Sequence, residues 1–282
     1  MTTNPNAVNS VNPTELLGGP AATPGTVHLV GAGPGNASLI TLRGIRLLQT
    51  ADVVAADRLV APELLDLAPA HATRWQVGKS RGQGWLQADI DQLLIEEAAS
   101  GKAVVRLKGG DPFVLGRGGE EAAACVGAGV PFEVVPGITS AVAAPAAAGI
   151  PVTHRGLAPA FAVITGHEDP DKVAGSVDWE AVSAFPGSLV VLMGVGALPV
   201  IAERLILNGR SPSTPAAAIR WGTTERQEVV EAPLAELAGA VEYAGLKSPA
   251  TIVIGDVVEM RSVLTGDRSM LAACPDATAP AA

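Results

Sequence analysis

The chain has little cysteine and few aromatic side chains. Among 282 residues there are two cysteines, one tyrosine, four tryptophans and four phenylalanines. Cys125 and Cys274 make no disulfide framework, and no Cys-x-x-Cys or Cys/His spacing suits a metal, so no metal site is expected. A buried, inert thiol is the expected state of Cys125. With aromatics at 3%, alanine, valine, leucine and isoleucine must fill the core. No uninterrupted apolar run approaches the roughly 20 residues that span a bilayer. No basic segment followed by an apolar run opens the chain, so a signal peptide is not expected. These absences predict a cytoplasmic protein with no membrane association.

Hydrophobic residues make up 48% of the chain and charged residues 17%, which predicts a sizeable core and excludes disorder for most of its length. Nineteen Lys and Arg against 28 Asp and Glu give a net charge of −9. A largely acidic surface disfavours nucleic acid, whose phosphates need clustered cations. The acidity is uneven, however. From Arg43 to Arg117 there are ten basic and nine acidic residues, whereas from Gly118 onward there are nine and eighteen. An anionic ligand would look to the first half.

Short apolar runs alternate with helical patterns through most of the chain. Strands are predicted over 26–30, 52–56, 103–107 and 132–135, with helices over 39–50, 90–100 and 120–128 between them. Pro136-Gly137 punctuates the chain, and the rhythm resumes. Helices are predicted over 139–148, 200–207 and 234–241, and strands over 160–165, 188–193, 216–219 and 251–254. This pattern predicts an α/β fold with parallel sheets in two α/β domains, 26–136 and 137–265. Residues 1–25 and 266–282, rich in small and turn-forming residues, read as tails. Ligands of such folds gather at the carboxyl ends of strands.

Several segments can carry chemistry. Gly31-Ala-Gly33-Pro34-Gly35 follows the first strand, as a ligand loop or as a tight turn. It departs from the dinucleotide fingerprint at Asn36 and lacks a Walker-type lysine. Asp57 falls at the end of the second strand, as a general base or as the partner of Arg58. Gly78-Lys79-Ser80-Arg81-Gly82 is a basic glycine-rich loop, able to grip an anion or merely mobile. The run Arg106-Leu-Lys108-Gly109-Gly110-Asp111-Pro112 continues through Val114 to Arg117-Gly118-Gly119-Glu120-Glu121. It joins basic residues and glycines to an Asp-Pro turn. Asp111 can take a cationic or hydroxyl group, and Glu120 and Glu121 suit the positive end of the next helix. Thr139 or Ser140 can cap a helix or expose N–H groups to a carboxylate. Arg155, after His154, can extend a basic rim. His28 lies within a strand and reads as structural.

Taken in order, VHLVGAGPG, ADVVAADRLV, VGKSRGQG, VRLKGGDPFVLGRGGEE and VPGIT…GIPVTHR resemble the tetrapyrrole methylase family over roughly residues 26–263. The RLKGGDPF and GIPVTHR segments point to members acting on uroporphyrinogen III. The resemblance implies a fold of two α/β domains with an active-site cleft between them. It implies S-adenosylmethionine-dependent C-methylation at C2 and C7, which gives precorrin-2 for siroheme or cobalamin. By motif matching, Pro34, Gly109, Gly110, Asp111, Val114, Thr139, Ser140, Met193 and Gly222 bind the cofactor. Asp57 and Lys79 match the family's proton acceptor and donor. Arg58, Arg81, Arg106, Lys108, Arg117 and Arg155 are candidates for the substrate carboxylates, since bidentate arginine suits such groups. A homodimer is implied, and no fused dehydrogenase and chelatase domain is expected. The chain departs from the family pattern at Ala56, Ser140 and Leu192. A later corrin-ring methyltransferase and a non-catalytic cofactor-binding protein are the rival readings.

Overall fold

The computed structural model describes residues 19–78, 85–167 and 177–266. Lys79, Arg81 and Cys274 lie outside the described residues. Two compact units divide between Thr139 and Ser140.

The first unit is built on five parallel strands: β1 (Val27–Gly31), β2 (Val53–Ala56), β3 (Thr73–Gln76), β4 (Val104–Lys108) and β5 (Phe132–Val135). Their order is β3-β2-β4-β1-β5. Four helices connect them: α1 (Leu42–Leu48), α2 (Pro62–Leu65), α3 (Gln87–Ala99) and α4 (Gly118–Gly127). Local chemistry fixes their starts. The Thr41 hydroxyl accepts the Gly44 N–H at 3.1 Å, and Asp89 reaches back to the Leu86 N–H at 3.0 Å, starting α3 three residues earlier than its apolar period suggests. Strand side chains alternate between faces. Val54, Val105 and Leu107 therefore join Leu47, Leu48 and Leu64 in one core layer. Val53, Ala55 and Val104 join Ile90, Leu94 and Cys125 in the other. Buried on both faces, β1, β2 and β4 read as continuous apolar runs. The edge strand β3 is exposed throughout and gives no such run, which is why the sequence pattern missed it.

The second unit holds α5 (Ser140–Ala147), β6 (Phe161–Thr165), α6 (Trp179–Ala184), β7 (Ser188–Leu192), α7 (Leu198–Leu207), β8 (Pro215–Arg220), β9 (Glu228–Pro233), α8 (Leu234–Tyr243), β10 (Ala250–Ile254) and α9 (Met260–Thr265). The sheet order is β6-β7-β10-β8-β9. Here the expectation of a parallel sheet is corrected: only β6 and β7 run parallel, while β10 is antiparallel to both its neighbours and β9 is antiparallel to β8. The short loop between β8 and β9 can close a hairpin but cannot carry a crossover helix, and β9 itself was missed because glutamates interrupt it. Helices α7 and α8 cover one face through Leu198, Ile201, Leu205, Leu234 and Leu237. Ala144 of α5 packs with Ala217, Ile219 and Val253 on the other.

Candidate functional site

Register brings the charged residues of the first unit together. Ala55 of β2 lies beside Arg106 of β4. Two residues further on, Asp57 and Lys108 share the face of Ala55 and Arg106, the face that α3 and α4 cover. Arg106 and Lys108 are each only 2% exposed, and Glu121, from the first turn of α4, is 1% exposed. Arg106 donates from Nη2 to Asp57 Oδ1 at 2.5 Å and from Nε to Glu121 Oε1 at 3.0 Å. Its Nη1 also reaches the carbonyls of Ala55 and Leu107, both at 3.3 Å. Lys108 Nζ lies 2.9 Å from Glu121 Oε1 and 2.8 Å from Oε2. Gln87 Nε2 completes the group, 3.3 Å from Glu121 Oε1 and 2.8 Å from Asp91.

Two cations thus share two carboxylates, and of these four charges Asp57 is the one that opens to solvent, with its side chain 32% exposed. Burial by itself would lower the Arg106 pKa. The attraction of Asp57 and Glu121 outweighs it, and the pKa is raised. Lys108 goes the other way: burial, aided by the positive charge of Arg106, lowers its pKa in spite of Glu121.

Three expectations change. Arg106 and Lys108 face inward and are held by internal carboxylates, so they are not a surface for substrate carboxylates. Asp57 pairs with Arg106, across the sheet, rather than with its neighbour Arg58. Glu121 does more than meet the end of a helix, because it is the counter-charge for both buried cations.

Main-chain geometry builds the rest of the site at the carboxyl ends of β1 and β4. Gly33 and Gly110 form an antiparallel bridge, with N–H to O distances of 3.2 and 2.7 Å. A Cβ on Gly31 would stand 2.5 Å from Gly137 Cα and 2.7 Å from the Gly110 carbonyl. Only glycine lets these three segments touch. Asp111 fastens them. Its Oδ1 accepts the N–H groups of Phe113 at 2.8 Å and Val114 at 3.2 Å, and its Oδ2 accepts that of Gly137 at 3.0 Å. The carboxylate expected to take a ligand group therefore already holds three backbone donors. The loop then runs through Leu115 and Arg117 with φ of 52° and 60°, a region that side chains seldom occupy and that clusters at functional sites.

The other expected residues spread along both units. Pro34 and Val114 are half-buried in the first unit's loops. Arg58 is exposed, and its backbone packs so closely on Gly78 that a Cβ there would lie 2.6 Å from Arg58 Cβ. Arg117 is exposed and paired with Glu120 at 2.6 Å. Thr139 precedes α5, and Ser140 opens it. In the second unit, Met193 follows β7 with a φ of 58° and is 54% exposed. Gly222 follows β8 between Trp221 and Thr223, which have φ of 48° and 73°. A Cβ on Gly222 would stand 2.5 Å from that of Ala144, so this glycine lets α5 pack. Arg155 is exposed in a turn closed by a bridge between His154 and Ala158. Among the described residues, no group of three or more His, Cys, Asp or Glu is arranged to hold a metal, and no helix is long and apolar enough to cross a membrane.

Comparison with known proteins adds to this geometry. The family model described as Tetrapyrrole (Corrin/Porphyrin) Methylases matches residues 26–238. A protein of Methanosarcina barkeri named S-adenosyl-L-methionine-dependent uroporphyrinogen III methyltransferase is 48% identical over 246 residues, 87% of this chain and 96% of that one. A siroheme synthase of Chromobacterium violaceum is 50% identical over 251 residues; these cover 89% of this chain but 53% of that protein, so the chain spans about half of that relative's length. The crystal structure of uroporphyrin-III C-methyl transferase from Thermus thermophilus, complexed with S-adenosyl homocysteine, superposes with a TM-score of 0.72 at 43% identity, covering 83% of this chain and 99% of that one.

Proposed function

The chain belongs to the tetrapyrrole methylase family, and from that premise we propose that it methylates uroporphyrinogen III at C2 and C7 to give precorrin-2. S-adenosylmethionine is the methyl donor and S-adenosylhomocysteine the by-product. The observation that carries this reading is the 48% identity to the Methanosarcina barkeri protein across 96% of its length.

The residues suit such a cofactor. Among the described residues, a Cβ on Gly109 would have only the Cβ of Leu59 within 4 Å, at 3.8 Å, which leaves room for a ligand beside the main chain there. We assign Pro34, Gly109, Gly110, Asp111, Val114 and Thr139 of the first unit to the cofactor, with Ser140, Met193 and Gly222 of the second. Asp111 acts by setting the loop rather than by offering a free carboxylate. When bound, the cofactor supplies an electrophilic methyl on a sulfonium whose departure needs no acid. The protein's own tasks are alignment, a proximity effect, and removal of the proton lost as conjugation is restored. Asp57 is the proposed acceptor. Arg106 holds its Oδ1, while its Oδ2 lies at the carboxyl edge of the sheet, 3.3 Å from the Gly109 N–H. Lys79 is the proposed proton donor. Arg58, Arg81, Arg117 and Arg155 are proposed to meet the substrate's carboxylates. The reading extends to a homodimer in the cytoplasm, checked by sedimentation and by fractionation.

The test is anaerobic incubation of the purified protein with uroporphyrinogen III and S-adenosylmethionine, followed by mass spectrometry of the tetrapyrrole. A gain of two methyl groups is expected, and Asp57→Ala should keep cofactor affinity while losing turnover. Unmethylated uroporphyrinogen III would overturn the assignment, and full turnover by Asp57→Ala would remove Asp57 from the mechanism.

A further inference from the structure

Glu121 is a buried carboxylate with two cations on it, one of which also holds Asp57. We propose that Glu121 is a positioning residue for the reaction: by pinning Arg106 from behind, it sets the direction in which Asp57 presents its second oxygen, the one that meets the Gly109 N–H. This inference rests on the reading of Asp57 as the proton acceptor and deepens it.

Three observations support it. First, Arg106 is fixed at each donor nitrogen. Glu121 takes Nε, Asp57 takes Nη2, and the carbonyls of Ala55 and Leu107 take Nη1. A planar guanidinium held at Nε and Nη1 has little freedom to rotate, so the Nη2–H bond delivered to Asp57 has a set direction. Second, Glu121 has no face on solvent, and its oxygens meet Arg106, Lys108 and Gln87. Burying ions in this way adds little stability compared with an apolar core, so stability alone does not account for the group. Third, of the four charged groups Arg106, Lys108 and Glu121 are buried, and Asp57 is the one that reaches solvent, at the strand end beside Gly109. A rigid support for a catalytic group is what such an arrangement provides.

A purely structural role makes a different forecast from a positioning role. If Glu121 only neutralises Lys108, removing both charges together restores the enzyme. If it aims Asp57, that repair leaves the chemical step slow. The experiment therefore compares the parent protein with Glu121→Leu/Lys108→Met, which removes the acceptor for Arg106 Nε along with both charges, and with Glu121→Asp. The latter keeps the charge but shortens the side chain by one methylene. S-adenosylhomocysteine affinity is measured by calorimetry, and kcat and KM with uroporphyrinogen III. Both variants are expected to bind S-adenosylhomocysteine and hold KM within about threefold of the parent, while kcat falls tenfold or more.

Parental kcat in the doubly substituted protein would overturn the proposal, leaving Glu121 as a counter-charge for Lys108. Loss of cofactor affinity in step with kcat would overturn it too. Should the double variant fail to fold, Glu121→Asp decides by the same criteria, and parental kcat there is again fatal. Failure of the underlying reading is separately visible, because Asp57→Asn would then turn over like the parent whatever happens at Glu121.

Discussion

Gly31→Ala tests whether the meeting of the loops after β1, β4 and β5 holds the first unit together. The new methyl would stand 2.5 Å from both Gly137 N and Gly137 Cα, and 2.7 Å from the Gly110 carbonyl oxygen. All three are backbone atoms, so no side chain can swing aside and the segments must part. Overpacking of this kind costs about 1–3 kcal/mol. Parting Gly137 from Asp111 also lengthens the 3.0 Å bond between them, and a hydrogen bond to a charged group contributes about 1.5–3 kcal/mol. The expected loss is about 3–5 kcal/mol. Gly119→Ala is the control. It lies in the first turn of α4 with nothing among the described residues within 4 Å of the added methyl, and a gain of about 0.5–1 kcal/mol is expected from helix propensity. Hydrogen exchange read by mass spectrometry reports the first unit by itself. Protection of β1 and β4 should fall about a hundredfold or more in Gly31→Ala, at one decade per 1.4 kcal/mol, and hold or rise in Gly119→Ala. Parental protection in Gly31→Ala, or equal losses in both variants, would refute the reasoning.

Two further outcomes follow from the first unit's titratable groups. Hydrogen bonding to Arg43 holds the Glu133 carboxyl below its usual range, with His28 assisting. The unfolded chain then binds the extra proton more readily, so this contribution is complete above the unfolded value and disappears as pH falls through the folded one. Glu133→Gln should flatten the acid side of the stability profile measured by urea unfolding between roughly pH 5 and pH 3, and by a modest amount, since Glu133 is partly solvated; an unchanged acid limb would contradict it. Burial pushes the Cys125 thiol up to about 11, so in a Cys274→Ser background native protein at pH 8 should resist a thiol reagent that labels it fully in denaturant; rapid native labelling would show the core layer to be open.

Much of the fold was legible because burial leaves a mark in sequence. β1, β2 and β4 are sealed on both faces and appear as apolar runs, and the glycine-rich turns mark their carboxyl ends. What escaped were elements with no such mark. β3 lies exposed at an edge, β9 is interrupted by glutamates, and the antiparallel course of β8, β9 and β10 is a matter of pairing rather than composition. The site divides in the same way. Asp57 stood out by its place at a strand end. Glu121 did not, because Glu120 beside it has the same side chain, and only the rotation of α4 buries one and leaves the other exposed.

By itself, then, the sequence determined the α/β class, the strand-end loops and the family, since each depends on local pattern and residue order. The tertiary structure decided which charges face inward. Arg106 and Lys108 look like ligand-gripping cations when read along the chain. Two-residue alternation turns both toward α4, where Glu121 meets them and Asp57 takes the outer end of the guanidinium. Whether a charge serves a ligand or a neighbouring carboxylate depends on what lies opposite it, and a linear sequence does not state that.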